Sequence, residues 1–479
     1  MPPVTPAQAL SGLERILGAE GVLTPAAPGP QGDLEPYLAD HRRLYQGRAL
    51  AVALPRTVSQ VTEILTFCDG NRIGVVPQGG NTSYCGGATP DESGAQIVVS
   101  LSRLNRIRRL DPLDYSLVAE AGCVLADIQR AADEAQRLFP LSLGSEGTCQ
   151  LGGNLSTNAG GIHVLRYGMM RDLVLGVEVA LADGRLLSSL GTLRKDNTGY
   201  DVKSLFLGAE GTLGIITAAS LKLFPKLRAF AAAFAAVTGP RAAVALLARL
   251  RDASGDRVSS FELIPRIAVD LTTRHIPGVR DPLDIPHPWY VLCELSSARS
   301  ADPLEELLEQ TLAGALEEKL VLDAAVARNE RDRAAFWKLR ETIPEAQRRD
   351  GASIKHDISV AVASIPDFIE RGSRWIADNV PDGRLVAYGH VGDGNLHFNL
   401  NQAPGSDRAA FLASEEPVKR AIHELVRDFG GSFSAEHGIG RLKVAELERY
   451  APPVELDVMR AIKHALDPNG ILNPGKVLR

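Results

Sequence analysis

Two short segments in the C-terminal part of the chain combine imidazole and carboxylate side chains with glycine. Residues 388–399 read YGHVGDGNLHFN and carry His390 and His397, and residues 434–440 read SAEHGIG and carry Glu436 and His437. The Asp-Gly pair in the first segment predicts a β-hairpin turn, whose two flanks would bring both imidazoles toward one point. Two imidazoles and one carboxylate are a common ligand set for catalytic Zn²⁺. We therefore predict His390, His397 and Glu436 as metal ligands.

The adjacent His437 is the predicted general base. An imidazole with a pKa near ~6.5 transfers protons at neutral pH, and a metal on a substrate hydroxyl would lower the pKa of that hydroxyl. Mn²⁺ and Fe²⁺ suit the same ligands as Zn²⁺. The simpler alternative is a hairpin with two core or surface histidines, but the chain has only 10 histidines in all. A hydrolase without flavin, in which Glu436 or His437 activates water, is a further alternative.

Glycine is concentrated in the N-terminal half. Of 45 glycines, 19 lie in residues 74–87, 144–161 and 168–214. The first stretch, VVPQGGNTSYCGG, reads as a strand entering a loop whose successive N–H groups can form a nest for a pyrophosphate. The second, GSEGTCQLGGNLSTNAGG, has side chains small enough for a planar ligand to lie against the main chain. Together with LGAEGTLGIIT, these loops predict one long, extended cofactor.

The motifs PQGGNTS, LGGNLSTNAGG and LFLGAEGTLGIIT resemble the FAD-binding half of the vanillyl-alcohol-oxidase type of flavoproteins. The resemblance implies two α+β subdomains that hold FAD. FAD bound without a covalent link is expected, because His41, Cys85 and Cys149 lie outside any family attachment motif. The FAD contacts that the resemblance implies are Pro77, Gly79, Gly80, Asn81, Thr82, Ser83, Gly144, Ser145, Gly147, Thr148, Gly152, Asn154, Ser156, Thr157, Gly160, Gly161, Gly211, Ile216 and Asn473.

The segments GHVGDGNLHFN and AEHGIG and the closing LNPGK resemble those of D-2-hydroxyacid dehydrogenases that carry both FAD and a metal. This group contains D-2-hydroxyglutarate, D-lactate and glycolate enzymes, and the resemblance covers roughly residues 40 to 479. It implies that His390, Asn399 and His437 contact the substrate, and that residues 473–476 close over the flavin. Arg340 and Lys355 match positions that bind a substrate carboxylate. Pro344 stands where the D-2-hydroxyglutarate enzymes have a threonine, so one hydrogen bond to the distal carboxylate is lost or replaced.

The elements between these motifs predict the architecture. After Pro225, residues 229–237, 258–264, 289–295 and 320–327 read as strands, and residues 241–253 and 303–317 read as helices. Two such β-α-β units predict a ferredoxin-like antiparallel sheet with helices on one face. The predicted fold is α+β, with a FAD-binding domain over 1–226, a substrate or cap domain over 227–420, and a C-terminal helical segment over 421–479 that returns to the FAD site.

Composition excludes several classes of protein. The net charge of −6 argues against a nucleic-acid partner. No apolar run approaches the ~20 residues that span a bilayer. The N-terminal residues MPPVTPAQAL lack the basic region followed by an apolar region that is expected of a secretory signal. Five widely spaced cysteines predict small buried side chains in a reducing cytoplasm. A homodimer is compatible with this composition.

We therefore expect oxidation of a D-2-hydroxyacid, with D-2-hydroxyglutarate as the first choice, to a 2-oxoacid and reduced FAD. The electrons would leave to an acceptor such as an electron-transfer flavoprotein or a quinone. A D-lactate or glycolate dehydrogenase or oxidase is the alternative within the same superfamily. A flavin-binding structural subunit is the non-enzymatic alternative.

Overall fold

The computed structural model describes residues 5–25 and 34–479, which form two compact units. The first unit comprises the described residues up to Gly161, together with Gly168–Lys226 and Glu436–Arg479. The second comprises Ile162–Tyr167 and Leu227–Ala435.

The first unit begins with a small sheet flanked by helices. Its strands, in spatial order, are Val22–Leu23, Ala51–Ala53, Ile97–Ser100 and Val75–Gln78. The last three run parallel, and the first pairs antiparallel with its neighbour. Helices Pro6–Leu17 and Val58–Asn71 bury an apolar face against this sheet, with Leu13, Ile64 and Leu65 fully buried beside Val75 and Ile97. Thr5 and Thr57 cap these two helices by accepting a backbone N–H through the side chain.

An antiparallel five-stranded sheet forms the second layer of the first unit. Its strands, in spatial order, are Ile107–Asp111, Ser116–Glu120, Ile215–Lys222, Val174–Ala180 and Leu186–Ser189. The shorter strands Arg137–Leu138 and Phe224–Pro225 pair with each other. The remaining helices of the unit are Glu35–Leu38, Leu125–Glu134, Leu151–Ser156, Val444–Tyr450 and Pro453–Leu466, with 3₁₀ turns at Ala19–Gly21, Met170–Leu173 and Val202–Leu205.

The second unit is built on one antiparallel sheet. In spatial order its strands are Val321–Val326, Ala229–Val237, Trp289–Ser297, Val258–Pro265, Gly383–His390, Asn395–Gln402 and Ser353–Ile354, and Asp357–Ser359 also pairs with Asn395–Gln402. The first four strands have the order of a ferredoxin-like repeat, as predicted. The other strands extend that repeat on one side.

Helices cover both faces of this sheet. One face packs against Pro240–Ser254, Leu304–Glu317, Ile365–Asn379 and Glu415–Asp428. The other face packs against Arg266–His275, Glu330–Glu341 and Ile343–Asp350. The shorter helices are Val164–Tyr167 and Arg408–Ala413, with a 3₁₀ turn at Val362–Ser364. The two helices of the repeat share one face as predicted, but helices on the second face were not predicted.

The predicted α+β class is confirmed, and the predicted strands and helices of the middle segment lie within two residues of the observed ones. The predicted segment 421–479 is divided, because 421–435 belong to the second unit and 436–479 to the first. The assignment of a separate function to each domain stays a prediction. All five cysteines are buried. Within residues 5–25 and 34–479, we find no helix with the length and apolar character that a membrane span requires.

Candidate active site

In the first unit, the predicted pyrophosphate loop and the loop of small residues pack closely together. Strand Val75–Gln78 ends in the loop that starts at Gly79. A side chain on Gly80 would place its Cβ 2.2 Å from the carbonyl oxygen of Thr148, so only glycine allows this approach. Asn81 adopts a left-handed φ of 53°, and its Nδ2 donates to the carbonyl oxygens of Pro36 and Ala39. The loop is therefore held by its own contacts.

Small residues leave the main chain open beside this loop. At Gly144, Gly147 and Gly153 an added Cβ would meet nothing within 4 Å, and Gly144, Gly147 and Thr148 are exposed. Helix Leu151–Ser156 begins here and carries the predicted contacts Gly152, Asn154 and Ser156, and Thr157 follows it. An exposed main chain without side chains above it fits the flat isoalloxazine ring of FAD.

The C-terminal Asn473 joins two of the glycine segments. Its Nδ2 donates to the carbonyl oxygens of Gly87 at 2.9 Å and Glu210 at 2.7 Å. Its Oδ1 is buried without a hydrogen-bond partner in the described part of the chain, as is Oε1 of Gln150. Two buried acceptors of this kind fit a cofactor rich in N–H and O–H donors. Nearby in sequence, burial lowers the pKa of Lys476 to about 8, with a smaller lowering from Arg441 and an opposing effect of Asp91.

Some predicted cofactor contacts also have structural roles. Gly161 has a φ of 117°, and an added Cβ would lie 2.1 Å from the carbonyl oxygen of Ser142. Gly211 packs against Pro77. Ile216 is buried in the strand Ile215–Lys222. The FAD contacts as a set stay predictions.

From Glu436 onward, the AEHGIG segment lies in the first unit and is anchored there on both sides. Oε1 of Glu436 accepts the Gly161 N–H at 3.1 Å. The His437 ring meets Tyr84 edge-on, with centroids 4.7 Å apart. Beyond His437, the backbone N–H groups of Ile439 and Gly440 donate to the two carboxylate oxygens of Glu210 at 2.7 and 2.8 Å. Burial raises the pKa of Glu210 to about 7, although the two backbone donors and Lys443 lower it in part.

In the second unit, the predicted hairpin is present. Strands Gly383–His390 and Asn395–Gln402 pair antiparallel around a turn at 391–394, with Tyr388 opposite His397. The rings of His390 and His397 lie with centroids 5.9 Å apart. The hairpin therefore brings the two imidazoles together, as the spacing predicts.

A fully buried carboxylate, Glu262, connects this hairpin with the predicted substrate arginine. Oε1 of Glu262 lies 2.5 Å from Nδ1 of His390, and Oε2 accepts from Nε of Arg340 at 2.7 Å. Burial alone would raise the pKa of Glu262, but Arg340 and His390 outweigh it and lower this pKa to about 2. The carboxylate therefore remains ionised between its two partners.

Helix Glu330–Glu341 positions Arg340 through contacts along one face. Glu294, on the neighbouring strand, accepts from Arg333 at 2.6 Å and from the Trp337 indole at 3.0 Å. The Arg340 guanidinium also lies over the Tyr388 ring, 4.8 Å from its centroid, which adds a cation–π contact. The helix is thus fixed at positions 333, 337 and 340.

The amide of Asn399 has a fixed orientation. Its Oδ1 accepts the His356 backbone N–H at 3.0 Å, and its Nδ2 donates to Oε1 of Gln347 at 3.1 Å. Lys355, which is half-buried, precedes His356 in the segment that Asn399 holds. The structure therefore links Asn399 to the position of Lys355, and the direct contact of either residue with a substrate stays a prediction.

The donor set is consistent with a metal. With Nδ1 of His390 directed at Glu262, Nε2 is the nitrogen that would face an ion, an arrangement common among metal-binding histidines. His390 and His397 belong to the second unit and Glu436 to the first. That these three residues form one ligand set stays a prediction.

Comparison with known proteins defines first the class and then the family. Residues 49–189 match the model of a FAD binding domain, and residues 226–477 match the model of the C-terminal domain of FAD linked oxidases. In fold, the chain resembles alkyldihydroxyacetonephosphate synthase (TM-score 0.73, 15% identity, 99% of this chain and 86% of that one). It also resembles p-cresol methylhydroxylase (TM-score 0.72, 18% identity, 98% and 96%). The chain is therefore a flavoprotein of the FAD-linked oxidase class.

Similarity to curated relatives identifies the family within this class. The chain is 38% identical to the mitochondrial D-2-hydroxyglutarate dehydrogenases of Arabidopsis thaliana and Bos taurus, over 98% of this chain and 81% and 83% of theirs. It is 33% identical to a D-2-hydroxyglutarate–pyruvate transhydrogenase of Saccharomyces cerevisiae, over 97% of this chain and 92% of that one. The chain belongs to the D-2-hydroxyglutarate dehydrogenase family. The cytoplasmic location stays a prediction.

Sequence reasoning missed Glu262, Tyr388 and Glu210. Glu262 had a detectable signal, because a single carboxylate stands in the otherwise uncharged strand VSSFELIP. Such a residue is buried in a sheet only when it is paired. Its two partners are distant in sequence, and no pattern near Glu262 indicates them.

Proposed function

We propose that the protein oxidises D-2-hydroxyglutarate to the corresponding 2-oxoacid. The observation that carries the proposal is the buried cluster of the second unit, in which one carboxylate holds both a carboxylate-binding arginine and an imidazole suited to a metal. A substrate with a carboxylate at one end and a 2-hydroxyacid at the other needs these two groups. The names of the Arabidopsis and Bos relatives support the same substrate.

Each predicted residue has a distinct role in this reaction. Bound FAD would supply a two-electron acceptor for the C2 hydride, and a divalent ion held by His390, His397 and Glu436 would lower the pKa of the substrate hydroxyl. Zn²⁺ is the proposed ion. His437 takes the hydroxyl proton at an imidazole nitrogen, while the edge-on Tyr84 ring limits rotation of the imidazole. Cytoplasmic location is proposed as well.

The carboxylates of the substrate are bound by cations and an amide. Arg340 and Lys355 bind the distal carboxylate, the arginine through two parallel hydrogen bonds and the lysine as a point charge. Asn399 orients the 2-hydroxyacid. Oxidation then depends on an acceptor for the flavin electrons, which we propose to be an electron-transfer flavoprotein, a quinone or, as the name of the yeast relative suggests, a second 2-oxoacid.

D-lactate oxidation is a second candidate, and Pro344 favours it. Pro344 lies in the first turn of helix Ile343–Asp350 and has no hydroxyl for a distal carboxylate. The neighbouring Thr342 hydroxyl donates to the carbonyl oxygen of Lys338 at 2.7 Å, so it is already engaged. A single-carboxylate substrate would not need the missing hydrogen bond.

Anaerobic mixing with D- and L-2-hydroxyacids, followed by the flavin absorbance, tests the proposal. D-2-hydroxyglutarate should bleach the flavin fastest, the L-acids should not bleach it, and chelation should abolish bleaching until Zn²⁺ is restored. His437→Ala should retain FAD but lose bleaching by at least about 100-fold, the scale of a lost general base. Faster bleaching by D-lactate would favour the second candidate, and purified protein without flavin absorbance would refute both. Undiminished bleaching in His437→Ala would remove the base assignment.

A further inference from the structure

Glu262 occupies an unusual position for a charged group. It lies at the middle of strand Val258–Pro265, between Trp289–Ser297 and Gly383–His390, and is fully buried. It stands directly opposite His390 in the register between the two strands. A charge buried at the centre of a sheet is destabilising unless both its oxygens are compensated.

Both oxygens of Glu262 have partners that belong to different parts of the proposed site. Oε1 lies 2.5 Å from Nδ1 of His390, the proposed metal ligand. Oε2 accepts from Nε of Arg340 at 2.7 Å, the proposed substrate-binding cation. The buried Glu262 carboxylate therefore positions both the proposed metal ligand His390 and the proposed substrate-binding residue Arg340.

We propose that Glu262 is the positioning residue that couples metal binding to recognition of the distal carboxylate. This inference rests on the proposed function. The carboxylate selects the His390 tautomer with a proton on Nδ1, which leaves the lone pair of Nε2 directed at the metal. It also increases the basicity of that nitrogen. Replacing the carboxylate should therefore weaken metal binding without removing any ligand.

The same carboxylate determines which edge of Arg340 meets the substrate. A guanidinium can grip a carboxylate through Nε and one Nη atom, or through both Nη atoms. Because Nε donates to Glu262, the edge of the guanidinium that contains Nε is turned to Glu262 and away from the distal carboxylate. Glu262 in addition holds the planar group at a fixed angle over the Tyr388 ring. Loss of Glu262 should therefore raise KM for a substrate with a distal carboxylate.

Glu262→Gln tests both halves of the proposal, because an amide offers one acceptor oxygen for two donors. Zn²⁺ alone is titrated by equilibrium dialysis into FAD-loaded, chelator-stripped protein. KM and kcat are then measured for D-2-hydroxyglutarate and D-lactate. We expect the Zn²⁺ Kd to rise by about 10–100-fold, the effect typical of such partners. KM for D-2-hydroxyglutarate should rise more than KM for D-lactate.

Glu294→Gln is the matched control. Glu294 is also buried in a central strand and pairs with Arg333 and Trp337 of the same helix. It should lower the melting temperature to a similar extent but leave the Zn²⁺ Kd within about twofold. Equal changes of Kd in Glu262→Gln and Glu294→Gln would overturn the proposal, since general loosening of the sheet would then explain both.

Arg340→Lys gives an independent measurement if Glu262→Gln does not fold. Lysine keeps the charge but has no Nε–H to hold Glu262. If Glu262 couples the two sites, Arg340→Lys should raise the Zn²⁺ Kd at least about fivefold, which is the lower end of the affinity changes typical of coupling between two binding sites. An unchanged Kd would overturn the coupling. The parental protein provides a separate test. If it oxidises the hydroxyacid without binding Zn²⁺, the metal part of the proposed function is refuted. The metal half of this inference is then refuted as well, before any variant is made.

Discussion

The stability of the first unit should depend on pH through Glu210. Its carboxylate is buried and accepts the backbone N–H groups of Ile439 and Gly440, which follow His437. Burial raises its pKa from 4.5 to about 7. Below pH 4.5 the group is protonated in both the folded and the unfolded chain, so its favourable contribution is complete. As the pH rises toward 7, the unfolded chain releases its proton first, and the free energy of unfolding falls.

The magnitude follows from the two pKa values. Their difference, at about 1.4 kcal/mol for each pH unit, corresponds to about 3 kcal/mol. Most of it is lost between pH 5 and pH 8. With an unfolding entropy of about 2.1 cal/mol/K per residue, a chain of 479 residues that unfolds in one transition loses about 1 kcal/mol of stability per degree near its melting temperature. Glu210 should therefore lower the melting temperature by about 3 °C between pH 5 and pH 8.

Thermal unfolding of Glu210→Gln at the two pH values isolates this contribution. The amide does not titrate, so the difference between the melting temperatures at pH 5 and pH 8 should be smaller by about 3 °C than in the parental protein. Other groups titrate equally in both proteins and cancel in the comparison. Glu455→Gln, at an exposed position of helix Pro453–Leu466, is the control and should behave as the parent does. Identical pH dependence in Glu210→Gln and the parent would refute a raised pKa for Glu210.

Two further predictions concern the substrate and the carboxylate of Glu436. Pro344→Thr should lower KM for D-2-hydroxyglutarate about fivefold, because one added hydrogen bond contributes ~1 kcal/mol. KM for D-lactate should not change. Equal effects on both substrates would contradict a contact of residue 344 with the distal carboxylate. Gly161→Ala places a Cβ 2.1 Å from the Ser142 carbonyl oxygen, so the backbone should shift and move the Gly161 N–H away from Glu436. The Zn²⁺ affinity measured by equilibrium dialysis should then fall at least about tenfold. Gly191→Ala, where nothing lies within 4 Å, is its control, and parental affinity in Gly161→Ala would show that this hydrogen bond does not position Glu436.

Local patterns were sufficient to predict the hairpin and the ferredoxin-like repeat. The Asp-Gly turn fixes the pairing of Tyr388 with His397, and alternating apolar segments fix the strands of the repeat. The partners of Glu262 could not be predicted from local sequence patterns, because His390, for example, is 128 residues away from it in sequence. The contact depends on which strands become neighbours. Sequence periodicity describes one strand at a time and carries no information on that choice.

Glu262 and Glu210 are both buried carboxylates, but different groups surround them, and this difference determines their behaviour at neutral pH. Glu262 is compensated by a guanidinium and an imidazole, which lower its pKa to about 2, so it stays ionised at neutral pH. Glu210 is compensated mainly by backbone N–H groups, which carry only partial charges, and burial therefore prevails and raises its pKa to about 7. Small changes of pH near neutrality should thus alter the anchoring of the loop after His437 while leaving His390 and Arg340 in place.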